Sequence, residues 1–244
     1  MDYQLIFRLS EPGVPVRGAV SSLVKGKDHK RRRDRINLRR FKITTIDQDG
    51  TIYKTDPLIV IATDLGRREE VDSFRKRWEE RRISLATSLR GQFGIVEGMT
   101  AGKLERYMNK MRPVNGIKQF VRFLIDLGIW VVLLTDNPSC VANFALKLGF
   151  QDIICSRSEL SRTGIIGRMH PLVNKATGLS DYCKQNGISL RECLHVGNGV
   201  NDIPVFRRVG ASIAINPENR RVQRAADFSV DTDTILDLIR FFVY

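Results

Sequence analysis

The chain has 244 residues, 42% of them apolar, enough for one good core or a core plus a small accessory domain. Its formal charge is +13, from 40 basic and 27 acidic side chains. Such a field attracts anions in general, which keeps phosphorylated metabolites, nucleic acid and acidic membrane surfaces open as partners. No apolar run approaches a membrane span, and Leu5-Ile6-Phe7 is too short for a signal peptide and is broken by Arg8. Cys140, Cys155, Cys183 and Cys193 are widely spaced, with no CxxC and no Cys/His ligand spacing. The expectation is a soluble cytoplasmic protein with reduced thiols and no membrane partner.

Residues 1–40 read as a basic N-terminal extension, with eleven Lys/Arg against four acids. Tyr3 to Leu9 has the pattern of a strand, broken by Pro12-Gly13 and Pro15. The run from Lys25 to Arg40 has few apolar residues and no clear amphipathic period, which fits a solvated arm. Nucleic-acid contact through residues 25–40 is the sharper alternative, though the run lacks interleaved aromatics.

From Phe41 the pattern changes. Phe41 to Ile46 is β-branched and aromatic, a strand that enters Asp47. Residues 53–113 are charged and helical in pattern, with Pro113 and Gly116 as punctuation. Ile117 to Leu127 predicts a helix, and Ile129 to Leu134 is a wholly apolar strand of the kind buried on both faces. A helix over Ser139 to Leu148, a strand over Asp152 to Cys155, a helix over Asn174 to Gln185 and a strand over Cys193 to Val196 follow. The chain ends with helix Ile203 to Val209, strands Ala211 to Ile215 and Asp227 to Val230, and helix Thr232 to Phe242. His195 lies inside a strand and reads as a core histidine; Trp78 and Trp130 read as packing residues. Strands alternating with helices predict an α/β fold, a doubly wound parallel sheet, whose ligands bind at the carboxyl ends of the strands.

Those strand ends carry the informative residues. Asp47-Gln48-Asp49-Gly50 sets two carboxylates at a turn, where they can share a divalent cation and divide the work of nucleophile and proton carrier; the same string is also an ordinary turn. Thr135 follows the second strand, where its hydroxyl can meet a phosphate oxygen or, with Asp136, cap the next helix. Lys175 opens a helix, against the positive end of the dipole, as a phosphate-binding ammonium would. Gly197 to Asp202 is a glycine-rich turn in which Asn198 and Asp202 offer oxygen ligands, or in which Asp202 simply caps a helix.

In this order the sequence resembles the haloacid dehalogenase superfamily of phosphohydrolases: 88 residues from Asp47 to Thr135, 40 more to Lys175, 23 to Asn198 and four to Asp202. With a helical insertion after the first motif it is most similar to the phosphoserine phosphatase branch. The resemblance implies a core of residues 41–52 and 114–244, with residues 53–113 as a helical cap. It implies Asp47 as nucleophile, Asp49 as acid and base, and Thr135 and Lys175 as phosphate ligands. Mg2+ would be held by Asp47, Asp49, Asn198 and Asp202. Asp56, Arg90 and Asn201 would contact a small phosphorylated metabolite, phosphoserine first among candidates. Three positions depart from the family pattern. Asn198 stands for its usual aspartate, which predicts weaker magnesium binding; Asp136 stands for a small residue, and Gln48 for an apolar one. A catalytically weakened binding or regulatory relative is the alternative.

Overall fold

A computed structural model describes residues 35–244. The expected strand Tyr3 to Leu9 and most of the basic run lie outside the described residues. In chain order the strands are β1 (Ile36–Asn37), β2 (Ile43–Ile46), β3 (Trp130–Pro138), β4 (Asp152–Leu160), β5 (Ile166–His170), β6 (Cys193–Gly197), β7 (Ala211–Ile215), β8 (Phe228–Val230) and β9 (Phe242–Val243). The α-helices are α1 (Pro57–Asp64), α2 (Arg68–Glu79), α3 (Leu85–Phe93), α4 (Ala101–Lys110), α5 (Ile117–Asp126), α6 (Ser139–Ala142), α7 (Lys175–Gln185), α8 (Ile203–Phe206) and α9 (Arg220–Ala225).

Seven strands form one sheet in the order β5-β4-β3-β2-β6-β7-β8, parallel throughout except for β5 against β4. The continuous apolarity of β2 and β3 has its cause here, because helices cover both faces. Val131 and Leu133 pack with Phe120 and Leu124 of α5. Val132 and Leu134 point the other way, into a cluster with Leu179 and Cys183 of α7. The doubly wound α/β arrangement expected from the alternation of elements is the one observed.

Capping fixes where several helices start. Asp56 caps α1 by accepting from Leu58 N at 2.7 Å, and Pro57 occupies the first turn, where its missing N–H costs nothing. Ser84, Thr100 and Asn174 cap α3, α4 and α7 in the same way. Helices α1–α4, followed by α5, lie between β2 and β3.

Four local expectations differ from the structure. The strand from Asp152 runs on to Leu160 and folds back as β5, a hairpin hidden in a polar stretch because this ribbon is largely exposed beyond Ser156. The helix expected over Ser139 to Leu148 is α for four residues and 3-10 from Asn143 to Leu148. The last expected helix is a 3-10 turn, Ile235–Phe241, followed by β9, which pairs in parallel with β1. Trp130 is 44% exposed at the start of β3 and donates through Nε1 to Tyr182 Oη at 3.2 Å, so it lies outside the core. The four cysteines are unbridged. Among the described residues no helix is long and apolar enough to cross a membrane.

Candidate active site

Strand β2 lies between β3 and β6, so the chain leaves it toward one half of the sheet and later returns to the other. That reversal opens a crevice at its carboxyl end. Ile46 is level with both Leu133 and Val196, which brings Asp47, Thr135 and Asn198 to nearly the same height. Asp47, Thr135 and Asn198 therefore converge, and Asp47 N donates to Val196 O at 2.9 Å.

The turn after β2 is closed by Ile52 N and Tyr53 N on Gln48 O, at 2.9 and 3.1 Å. Gly50 sits at φ 73°, and a Cβ there would lie 2.0 Å from Asn198 Nδ2. Glycine is required twice over, for the left-handed backbone and for the side chain of Asn198 packed directly on the turn.

Lys175, the first residue of α7, is 1% exposed. Its Nζ donates to Asp47 Oδ1 at 2.5 Å and to Asp202 Oδ1 at 2.8 Å. Burial works against its charge, but Asp202, Asp47 and Asp136 outweigh burial and push its pKa up. Asp202 is held from every side. Its Oδ1 also meets His195 Nε2 at 3.1 Å, and Oδ2 accepts from Asn198 N and Gly199 N at 3.0 and 2.9 Å. Burial opposes its ionisation, but Lys175 and His195 hold the carboxyl well below the usual range. With both oxygens committed, Asp202 is an anchor for Lys175 and the loop, which does not fit its expected part as a direct metal ligand. His195 is the core histidine expected, fully buried and 2.8 Å from Thr45 Oγ1.

Asp47 is 3% exposed; burial, then Asp202, push its pKa up to about 8 against the pull of Lys175. Burial, then Asp56 and Asp47, raise Asp49 well above the usual carboxylate range. Asp136 is also raised by burial; its Oδ2 accepts from Asn201 Nδ2 at 2.8 Å, and its Oδ1 has no partner among the described residues. Asp47, Asp49, Asp136 and Asp202 thus gather around the single ammonium of Lys175, an excess of negative charge that favours a cation. Among the described residues no three His, Cys, Asp or Glu side chains form a metal cage, so such a cation needs carbonyl or amide oxygens as well.

Thr135 Oγ1 accepts from Asn137 N at 3.1 Å, which leaves its hydroxyl hydrogen to donate. It does not cap α6, whose N-cap is Pro138. Asn137, which the sequence did not single out, donates through Nδ2 to both oxygens of Asp49, at 3.0 and 2.9 Å.

The side chains expected to contact substrate separate. Asn201 lies at the site beside Asp136. Asp56 spends one oxygen capping α1 and pairs the other with Arg75 of α2, whose Nε donates to Gln92 Oε1 at 2.8 Å. Arg90 is exposed on α3. Arg75 is the α2 cation whose charge Asp49 also influences: burial disfavours that charge, but Asp56 and Asp49 more than compensate. Nothing in the sequence distinguishes it from the neighbouring basic residues of α2.

Comparison with known proteins identifies the family. A family profile for haloacid dehalogenase-like hydrolases matches residues 108–237, more than half of the chain. The chain belongs to that family. It is similar to the phosphoserine phosphatase of Methanocaldococcus jannaschii, 23% identical over 82% of this chain and 97% of the relative. It is 28% identical to that of Halobacterium salinarum, over 72% and 86%. Among solved structures, an HAD family hydrolase from Salmonella enterica serovar Typhi superposes with a TM-score of 0.74 at 16% identity, covering 82% of this chain and 70% of the other. A substrate-bound phosphoserine phosphatase gives 0.71 at 22%, over 83% and 99%. The expected family, its resemblance to phosphoserine phosphatases and the α/β fold are all borne out.

Proposed function

We propose that this protein is a magnesium-dependent phosphatase that hydrolyses a small phosphorylated metabolite through an aspartyl-phosphate on Asp47, with phosphoserine the first candidate. The observation that carries the reading is Lys175 bridging Asp47 and Asp202 at the β2 crevice, with Thr135 and Asp49 beside them.

An oxygen of Asp47 attacks phosphorus while the bond to the leaving oxygen breaks. Asp49, protonated in surroundings that raise its pKa, gives its proton to that oxygen. It then takes a proton from the water that attacks the aspartyl-phosphate, which frees inorganic phosphate and restores Asp47. Lys175 and the Thr135 hydroxyl hold the phosphoryl oxygens, in keeping with a reaction that depends on positioning and charge. The surplus of carboxylates around Lys175, with the Asn198 side chain packed on the turn that carries Asp49, suits a hard cation. The Asp47 carboxylate, the Asp49 carbonyl and the Asn198 amide oxygen would hold it. Magnesium, when bound, supplies positive charge against the phosphoryl group. Helices α1–α4, in residues 53–113, serve as the cap that excludes water. Arg75, with Asp56 and Gln92, takes the part expected of Arg90, and Asn201 borders the substrate.

Phosphate release from a panel of phosphomonoesters with magnesium tests the reading. The wild type should turn over at least one, and Asp47→Asn none. No release from any ester overturns it. The neutral Asn198 favours one other reading, a binding protein that has lost catalysis. Activity in Asn198→Asp beside a silent wild type would establish that instead.

A further inference from the structure

We infer that Asn137 is the positioning residue for the acid and base Asp49. The inference rests on the proposed function, because it concerns the proton that Asp49 gives to the leaving oxygen.

Asn137 is 5% exposed, and its amide nitrogen has two hydrogens. One faces the carboxyl of Asp49, with Nδ2 at 3.0 Å from Oδ1 and 2.9 Å from Oδ2. The other faces Gln48 Oε1 at 3.3 Å. Its backbone N–H is spent on Thr135 Oγ1 at 3.1 Å. The irregular last part of β3, between Leu134 and Pro138, therefore sets both the phosphate-binding hydroxyl and the plane of the Asp49 carboxyl. Asp49 is half-buried at the mouth of a turn, and no other side-chain hydrogen bond to it is found among the described residues. Without Asn137 the carboxyl is free to rotate away from the leaving oxygen. Gln48 gains a purpose as well. An apolar residue at that position would leave the second amide hydrogen of Asn137 unpartnered in a buried place.

A misdirected acid leaves a specific signature. Attack by Asp47 is unimpaired, but the leaving oxygen departs with less help as the bond to phosphorus breaks. Good leaving groups tolerate this and poor ones do not. The probes are para-substituted phenyl phosphates from nitro to methoxy, equal in size and graded in leaving-group basicity. Asn137→Ala should raise the nitro-to-methoxy ratio of kcat/KM about tenfold, the scale of one charge-assisted hydrogen bond. Asp49→Ala should show the same bias, and the double variant should add little to it. A general loss of structure would instead lower the whole series in parallel. If Asn137→Ala does not fold, Gln48→Leu carries the same comparison, with a smaller bias in the same direction. A parallel drop, or an additive double variant, overturns the inference and leaves the phosphatase reading intact. A wild type that releases phosphate neither from this series nor from any metabolite ester overturns both.

Discussion

Lys175 Nζ donates to Asp202 Oδ1 at 2.8 Å, with both side chains sealed from water. Two buried opposite charges are favourable only when every remaining donor and acceptor is met, and here Asp202 meets four donors. Removing one partner strands the other.

Asp202→Ala is therefore expected to destabilise the fold by about 3–5 kcal/mol, read from urea denaturation. Its carboxyl is held below its ordinary value of 3.8, so the native state binds fewer protons there than the unfolded chain. The stabilisation is fully present above that value and is lost as pH falls through the native pKa. The gap between wild type and variant should narrow in acid. A loss under about 1 kcal/mol at neutral pH would mean that the pair is screened by water.

Asp47 has the opposite sign. Its pKa rises from 3.8 to about 8, so the native state holds the proton more tightly than the unfolded chain does. That preference stabilises the fold in acid and fades as pH climbs across the interval. Asp47→Asn, which cannot ionise, should melt higher than wild type by a margin that widens from pH 4 to pH 8 without metal. A chain of this size gains about 2–4 °C in Tm per kcal/mol. A margin that does not change with pH would show that Asp47 is not strained by its surroundings.

The core of this site was legible because parallel strands buried on both faces are easy to read and their ends must carry the chemistry. That rule points to Asp47, Thr135 and Asn198; Lys175, which opens a helix, and the roles of all four rest on the family resemblance. The cap was less legible. Asp56 has the composition of a substrate contact, but its oxygens are claimed by a helix start and by Arg75, and only three-dimensional packing selects Arg75 from the many basic residues of α2. Asn137 was overlooked for a related reason: an asparagine after a strand looks like turn chemistry until Asp49 is seen across the loop. The β4–β5 hairpin is hard to read because only Ile166 and Met169 of β5 reach the core, set among Gly, Arg and polar residues.

Arg75 and Arg90 give a direct test of the cap. Arg75 pairs with Asp56, and the charge of Asp49 helps to hold it ionised, whereas Arg90 is exposed. Arg75→Ala should raise KM for the best metabolite substrate about tenfold more than Arg90→Ala does, since a charge-assisted contact is the difference between them. Part of the loss belongs to Asp56, left without its cation, so Asp56→Asn in the Arg75→Ala background should recover some binding. A larger effect from Arg90→Ala would return the substrate contact to α3.

In the proposed site Asn198 would set how well a cation is held. Its amide brings an oxygen without charge, and its side chain lies against Gly50 on the turn that carries Asp49. Asn198→Asp keeps the shape and adds a carboxylate. Hard-cation affinity rises with ligand charge, so magnesium or manganese should bind about tenfold tighter by calorimetry. The same change should be costly without metal, because a further negative charge joins Asp47 and Asp49, both already pushed up by burial. The variant should therefore melt below wild type in chelator, and magnesium should raise its Tm more than that of the wild type, since a ligand stabilises only the state that binds it. An unchanged dissociation constant with an unchanged Tm in chelator would remove Asn198 from the cation site.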